Sequence, residues 1–249
     1  MNELRSTTTL VGVIGWPVWH SLSPRLQNAG FAALGLDWAY VPLPVRPEAL
    51  ADAVRGLAAA GFAGANVTIP HKTAAVDLCD EVDALATEAA SVNTFVFQNG
   101  RVRGSSTDIV AIGDAVADAT GRRALVLGAG GSAKAALVAL RHAGADVTTA
   151  TRHDPDWPPD GRSFEIVVNA TPVKDDPIVS PRAGQQIVDL PYNANGEPTA
   201  LVTAAREAGC ERVSDGIDIL IAQGVASFEL WTGLPAPMAA MREALRAKV

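Results

Sequence analysis

Cysteine is almost missing from these 249 residues: only Cys79 and Cys210 occur, far apart and without CxxC spacing. That excludes a disulfide framework and a thiolate zinc site, and fits a protein kept in a reducing cytoplasm. Histidine is sparse too, and its four copies offer no pair with metal-ligand spacing, so no metal is expected. Positive charge is in short supply. The net charge of −7 and the absence of any Lys/Arg run argue against nucleic acid or an anionic membrane surface as a partner. Long apolar runs are also lacking. The stretch from Met1 to Pro17 is interrupted by Gly12, Gly15 and Pro17, too soon for a signal or membrane segment.

What is present is the composition of a folded α/β protein. Hydrophobic residues make up 48% and charged residues 19%, so the chain can bury a core and is not a disordered polar segment. Its length favours two lobes. Extended and helical patterns alternate, which predicts largely parallel sheets. Strands are expected at Thr9–Ile14, Trp38–Leu43 and Gly64–Val67. Ser23 followed by Pro24 reads as an N-cap and N1 proline opening a helix that Gly35 ends. Pro47 opens a second helix, closed by Gly61. Asn99-Gly100 marks a hairpin turn between Val92–Gln98 and Arg101–Gly104.

From Arg123 the pattern resets into a βαβ unit: strand Ala124–Leu127, a glycine turn, an alanine-rich helix to Ala143, and strand Asp146–Thr151. Strands at Glu165–Val168, Ile187–Leu190 and Arg212–Val213 would complete a doubly wound sheet, with the Asp154–Arg162 segment a loop. Helical stretches at Ile217–Trp231 and Ala236–Lys248 close the chain. The predicted organisation is an N-terminal α/β lobe, residues 1–103, with helix 236–249 packing back on it, and a Rossmann-type domain, residues 104–235.

The turn Gly128-Ala129-Gly130-Gly131-Ser132-Ala133 departs from GxGxxG only in its last position, where alanine is tolerated. Glycines there let a pyrophosphate approach the backbone, and the following helix N-terminus supplies free N–H groups. At the end of the second strand stands Thr151-Arg152-His153, where an NAD site usually has an acidic residue. A guanidinium suits a 2′-phosphate, so NADP(H) is the expected cofactor, with Asp154 keeping NAD as the alternative.

The segment Asn66-Val67-Thr68-Ile69-Pro70-His71-Lys72 lies at a strand's C-terminal end, where open α/β sheets collect ligands. Together with His20-Ser21-Leu22-Ser23-Pro24, Val92-Asn93-Thr94, Thr107-Asp108, the glycine turn, Asn169-Ala170-Thr171-Pro172-Val173, Asp189-Leu190-Pro191-Tyr192, Gly216 and Gln223, it gives a chain that resembles the shikimate dehydrogenase family nearly end to end. The resemblance implies reversible, NADPH-dependent reduction of 3-dehydroshikimate to shikimate in aromatic amino-acid biosynthesis. It implies Lys72 and Asp108 as the catalytic pair, and Ser21, Ser23, Thr68, Asn93, Tyr192 and Gln223 as substrate contacts. Gly128, Ala129, Gly130, Gly131, Ser132, Thr151, Arg152, Thr171, Leu190 and Gly216 would then hold the cofactor. A polyhydroxylated ring acid needs such directional donors and acceptors. Carbonyl reduction also needs a proton donor, which the Lys72 ammonium supplies.

Bland readings stand beside these: Ser21 and Ser23 could simply cap a helix, Asn66 and Asn93 could fix turns, and His20 or His71 could be the acid. Gln27, Ser106, His153 and Lys174 depart from the family pattern. A quinate or aminoshikimate dehydrogenase using NAD(P), or a non-catalytic NADP-binding sensor, are the alternatives, and the chain could act as a monomer or a homodimer.

Overall fold

A computed structural model describes residues 4–246, and these fall into two compact units. The first takes residues 4–107 and 221–246, the second residues 108–220. Lys248, the last residue of the expected C-terminal helix, lies outside the described residues.

The first unit is built on a six-stranded sheet. Its strands are β1 (Thr9–Gly15), β2 (Trp38–Pro44), β3 (Gly64–Val67), β4 (Glu81–Val82), β5 (Thr94–Gln98) and β6 (Arg101–Ser105), in the spatial order β2-β1-β3-β5-β6-β4. This sheet is mixed: parallel pairs remain the majority, as expected, and the hairpin read at Asn99-Gly100 is present. The β1–β2, β1–β3 and β4–β6 pairs are parallel, whereas β5 runs against both β3 and β6. The reversal follows from Asn99 and Gly100, whose φ values of 53° and 72° make the tight turn of a hairpin. Ile14, Val67, Val92 and Phe95 lie in its core with Leu50 and Val54.

Helices α1 (Ser23–Ala33), α2 (Leu50–Ala59) and α3 (Ala84–Ala89) belong to the same unit. α1 corrects one expectation. Leu22, in helical backbone conformation, is the N-cap, and Ser23 is already the first helical residue; its N–H is met at 3.2 Å by the Ser21 hydroxyl. The C-terminal end is as read: Gly35 takes φ +63°, with Gly35 N–H on the Ala32 carbonyl and Leu36 N–H on that of Phe31, a Schellman closure.

The second unit holds a five-stranded parallel sheet: β7 (Arg123–Leu127), β8 (Asp146–Ala150), β9 (Ile166–Asn169), β10 (Gln186–Asp189) and β11 (Arg212–Ser214). The spatial order β11-β10-β9-β7-β8 is a doubly wound order whose switch point lies between β7 and β9. Helices α5 (Gly131–His142) and α6 (Ala200–Glu207) connect its strands, and α4 (Thr107–Ala115) precedes them. Leu125, Leu127, Val167, Ile187 and Leu201 fill one core cluster.

Helix α7 (Gly216–Thr232) begins in the second unit and continues in the first, which α8 (Met238–Arg246) completes. Within the first unit the Phe228 ring stacks 5.2 Å from Phe31, the Trp231 indole N–H donates to the Phe95 carbonyl, and Met241 is fully buried. These contacts place residues 221–235 with the first unit. No helix among the described residues is long and apolar enough to cross a membrane.

Candidate active site

In the first unit strand register gathers the motifs at one end of the sheet. Ile14 pairs with Val67, and Asn66 with Thr94, which pairs in turn with Ser105. The segments that follow Gly15, Val67 and Ser105 and the one that precedes Thr94 therefore emerge together. Backbone bonds join them: Trp16 N–H to the Ile69 carbonyl, Thr68 N–H to Ile14, Val92 N–H to Lys72, and Asn93 N–H to Ser105. Gly15 is required here, because a Cβ would sit 2.5 Å from the Thr68 methyl.

Beneath this end lies a polar network buried in the unit. The Tyr40 hydroxyl donates to Asn66 Oδ1, and the Asn66 amide donates to the Thr94 and Ser227 hydroxyls at 3.0 and 2.9 Å. Ser227 Oγ donates onward to the Gln223 carbonyl. Asn93 Oδ1 accepts from Thr107 N–H at 2.8 Å and from the Thr94 and Thr107 hydroxyls. Three donors on one oxygen fix the orientation of the Asn93 amide, so its nitrogen side is presented as the donor. Asn66, Thr94, Thr107, Ser227 and Tyr40 were absent from the sequence-predicted contacts. Ser227 in particular gives no local signal for this network, since Asn66, Thr94 and Thr107, the side chains it joins, are more than a hundred residues away in the chain.

Ser21, Ser23, Thr68, Lys72, Asn93 and Gln223 all belong to this unit, whereas Asp108 and Tyr192 belong to the second. Thr107, the residue before Asp108, is held in the first unit by Asn93. The two histidines separate cleanly. His20 is exposed, while His71 is buried with Nε2 2.7 Å from the Val45 carbonyl, a bond that pins the segment leading to Lys72.

In the second unit the register aligns Ala150, Leu127, Asn169 and Asp189 across neighbouring strands. The segments that leave these residues carry Thr151 and Arg152, Gly128 to Ser132, Thr171, and Leu190. They emerge side by side at the C-terminal edge, around the switch point where such sheets bind ligands. Gly128 has φ +118°, and a Cβ on it would lie 3.1 Å from the Ala170 carbonyl oxygen. Gly130 is different: its φ of −74° suits any residue, and a Cβ would meet no protein atom within 4 Å. Protein packing does not require a glycine there. The bare backbone leaves room for the close approach of a ligand, and α5 begins at this point with no side-chain cap. The residues therefore fit a dinucleotide pyrophosphate. Gly216 has its own packing reason, because a Cβ would run into the Leu190 and Pro191 carbonyls.

Asp154 accepts from Thr151 N–H at 2.7 Å and from the Thr151 hydroxyl at 3.1 Å. Its carboxylate is thus committed to the turn after β8, and Arg152 stands exposed beside it. Deeper in, Asp189 is fully buried and accepts from Asn169 Nδ2 at 2.7 Å and from the Thr199 hydroxyl. Burial pushes its carboxyl up to about 6, against the lowering effect of the Thr199 and Asn169 hydrogen bonds.

Two α/β units, one presenting directional polar groups at a sheet end and the other a glycine turn at a doubly wound switch point, define a dinucleotide-dependent oxidoreductase that acts on a small polar molecule. Residues 13–95 match the shikimate dehydrogenase substrate binding domain, and residues 216–246 match the shikimate 5'-dehydrogenase C-terminal domain. A shikimate dehydrogenase (NADP(+)) of Anaeromyxobacter dehalogenans is 39% identical over 97% of both chains. Among solved structures, a shikimate dehydrogenase of Aquifex aeolicus superposes with a TM-score of 0.88 at 31% identity, covering 98% of this chain and 100% of its own. A shikimate 5-dehydrogenase of Thermus thermophilus in complex with NADP(H) and shikimate gives a TM-score of 0.83 at 31% identity, covering 96% and 99%. The chain belongs to the shikimate dehydrogenase family.

Proposed function

We propose that the protein reduces 3-dehydroshikimate to shikimate with NADPH, and runs the reverse reaction with NADP+. The reading is carried by the register of the first sheet, in which the reversal of β5 brings Asn93 to the same end as Thr68 and Lys72. Bound NADPH supplies the hydride. Gly128, Ala129, Gly130, Gly131 and Ser132 hold its pyrophosphate on backbone N–H groups, Thr151 and Arg152 take the 2′-phosphate, and Thr171, Leu190 and Gly216 line the rest of its path.

Ser21, Ser23, Thr68, Asn93, Tyr192 and Gln223 bind the carboxylate and ring hydroxyls. An analogue lacking one hydroxyl leaves a buried partner unpaired and is rejected for that reason. The Lys72 ammonium gives its proton to the carbonyl oxygen, and Asp108 orients Lys72 and shares its hydrogen-bond network. The partners are these two small molecules rather than nucleic acid, in keeping with the net charge of −7. The setting is the cytoplasm, and the protein acts as a monomer or a homodimer.

The test follows NADPH absorbance in the presence of 3-dehydroshikimate, with shikimate, quinate and aminoshikimate compared in the oxidative direction using NADP+ and NAD+. Fastest turnover with 3-dehydroshikimate, shikimate and the NADP couple is the expected result. Higher efficiency on quinate or aminoshikimate would reassign the substrate, and NADPH binding without turnover would make the protein a sensor.

A further inference from the structure

The reaction just described gives no task to Asp189, yet this is a carboxylate buried in the second unit at 0% exposure. Its two oxygens have distinct partners. Oδ1 accepts from Asn169 Nδ2 and Oδ2 accepts from the Thr199 hydroxyl. A carboxylate can only accept, so Asn169 has to turn its nitrogen toward Asp189 and its oxygen the other way.

That oxygen has work on the far side. Asn169 Oδ1 accepts from Thr171 N–H at 3.0 Å and from the Thr171 hydroxyl at 2.7 Å. Thr171 Oγ1 then accepts from Val173 N–H at 3.2 Å. If the Asn169 amide were flipped, its NH2 would face the Thr171 N–H, donor against donor, and the turn would open. Ala170 and Thr171 lie against the first glycine of the pyrophosphate turn, as the 3.1 Å separation between the Ala170 carbonyl oxygen and a Cβ at Gly128 shows. The other end of the segment is tied through the same carboxylate. Thr199, held by Asp189, caps α6 through Val202 N–H, and Ala200 N–H donates to the Lys174 carbonyl.

We propose that Asp189 is a positioning residue for NADPH: by dictating the orientation of the Asn169 amide it sets the shape of segment 169–174 where that segment borders the glycine turn. The inference rests on the assignment of the cofactor to this edge of the sheet. Asparagine at position 189 has the same shape but a single acceptor oxygen. Its NH2 can face either partner, so it keeps both bonds only by turning the Thr199 hydroxyl from donor to acceptor, and it no longer dictates which way the Asn169 amide lies.

The experiment is fluorescence titration of the intact protein with NADPH, for the unaltered chain and for Asp189→Asn, Asn169→Ala and the double variant, with the KM for shikimate measured alongside. Each single variant is expected to raise the NADPH dissociation constant by about tenfold. The double variant should match the singles rather than multiply them, because both break one link. The shikimate KM should stay within about twofold, and the unfolding midpoint of Asp189→Asn at neutral pH should not fall, since that change removes a buried charge.

A folded Asp189→Asn protein that binds NADPH as tightly as the unaltered chain would overturn the proposal, as would independent, multiplying losses in the double variant. Should Asp189→Asn fail to fold, Asn169→Ala reads the same link, and unchanged affinity there overturns it equally. Failure of the unaltered protein to bind NADPH would instead count against the cofactor assignment itself.

Discussion

Among single residues, Lys72 and Asp189 are the ionisable groups on which the two proposals turn. Lys72 is partly exposed at the end of the first sheet and is assigned the proton. Its replacement by Ala should lower turnover by about 10²–10⁴-fold and leave the NADPH dissociation constant unchanged, a split that steady-state kinetics and titration together resolve. Asp189 acts from within, and burial raises its carboxyl from 3.8 to about 6. A raised folded-state value favours the neutral form in the folded protein. Stability from this group is therefore full below about pH 4 and is lost as pH climbs through about 6. Between pH 4 and pH 7 the unaltered protein should lose roughly 2 kcal/mol relative to Asp189→Asn, measurable by urea unfolding at the two pH values. A parallel pH profile for the two proteins would contradict this. The sequence made the motif residues visible because each sits in a short recognisable run. It hid Ser227, since a lone hydroxyl acquires a role only when the fold brings distant partners to it.

Elements were legible where glycine, proline or asparagine punctuates the chain. The Gly64–Val67 strand, the hairpin at Asn99-Gly100 and the closure of α1 by Gly35 all follow from residues that permit a left-handed or tightly turned backbone. The start of α1 was misread because Ser-Pro fits a cap and first turn equally well when moved by one residue, and only Ser21 below Ser23 decides the matter. The two-residue β4 and the short α3 carry too few residues for a periodic pattern. Glycines within one turn also divide by task. Gly128→Ala should strain its φ of +118° and crowd Ala170, costing about 1–3 kcal/mol of stability as well as cofactor affinity. Gly130→Ala should fold as well as the unaltered chain and lose affinity alone. Thermal unfolding with and without NADPH separates the two, and a destabilised Gly130→Ala protein would contradict the ligand-approach explanation.

For the molecule as a whole, fold class was readable from the alternation of elements, whereas the antiparallel pairing of β5 with β3 was not. Strand direction depends on how connections cross, and only the hairpin announced a reversal. The first unit is discontinuous, closed by residues from the far end of the chain. Met241 and Phe228 pack against Gly30 of α1, and Arg25 donates to the Ala244 carbonyl. Ending the chain after Pro237 should therefore destabilise the first unit by at least about 2 kcal/mol, the contribution of one buried methionine side chain. The second unit should keep its own midpoint, so that one unfolding transition becomes two; a single unshifted transition would contradict it.

That discontinuity also sets an order of events on the ribosome. Residues 108–220 all leave the ribosome before the remainder of α7 and the whole of α8, so the nucleotide-handling half is the first to have its entire sequence in hand. The half encoded first must wait, its aromatic core open, until the last turn of α8 has left the exit tunnel.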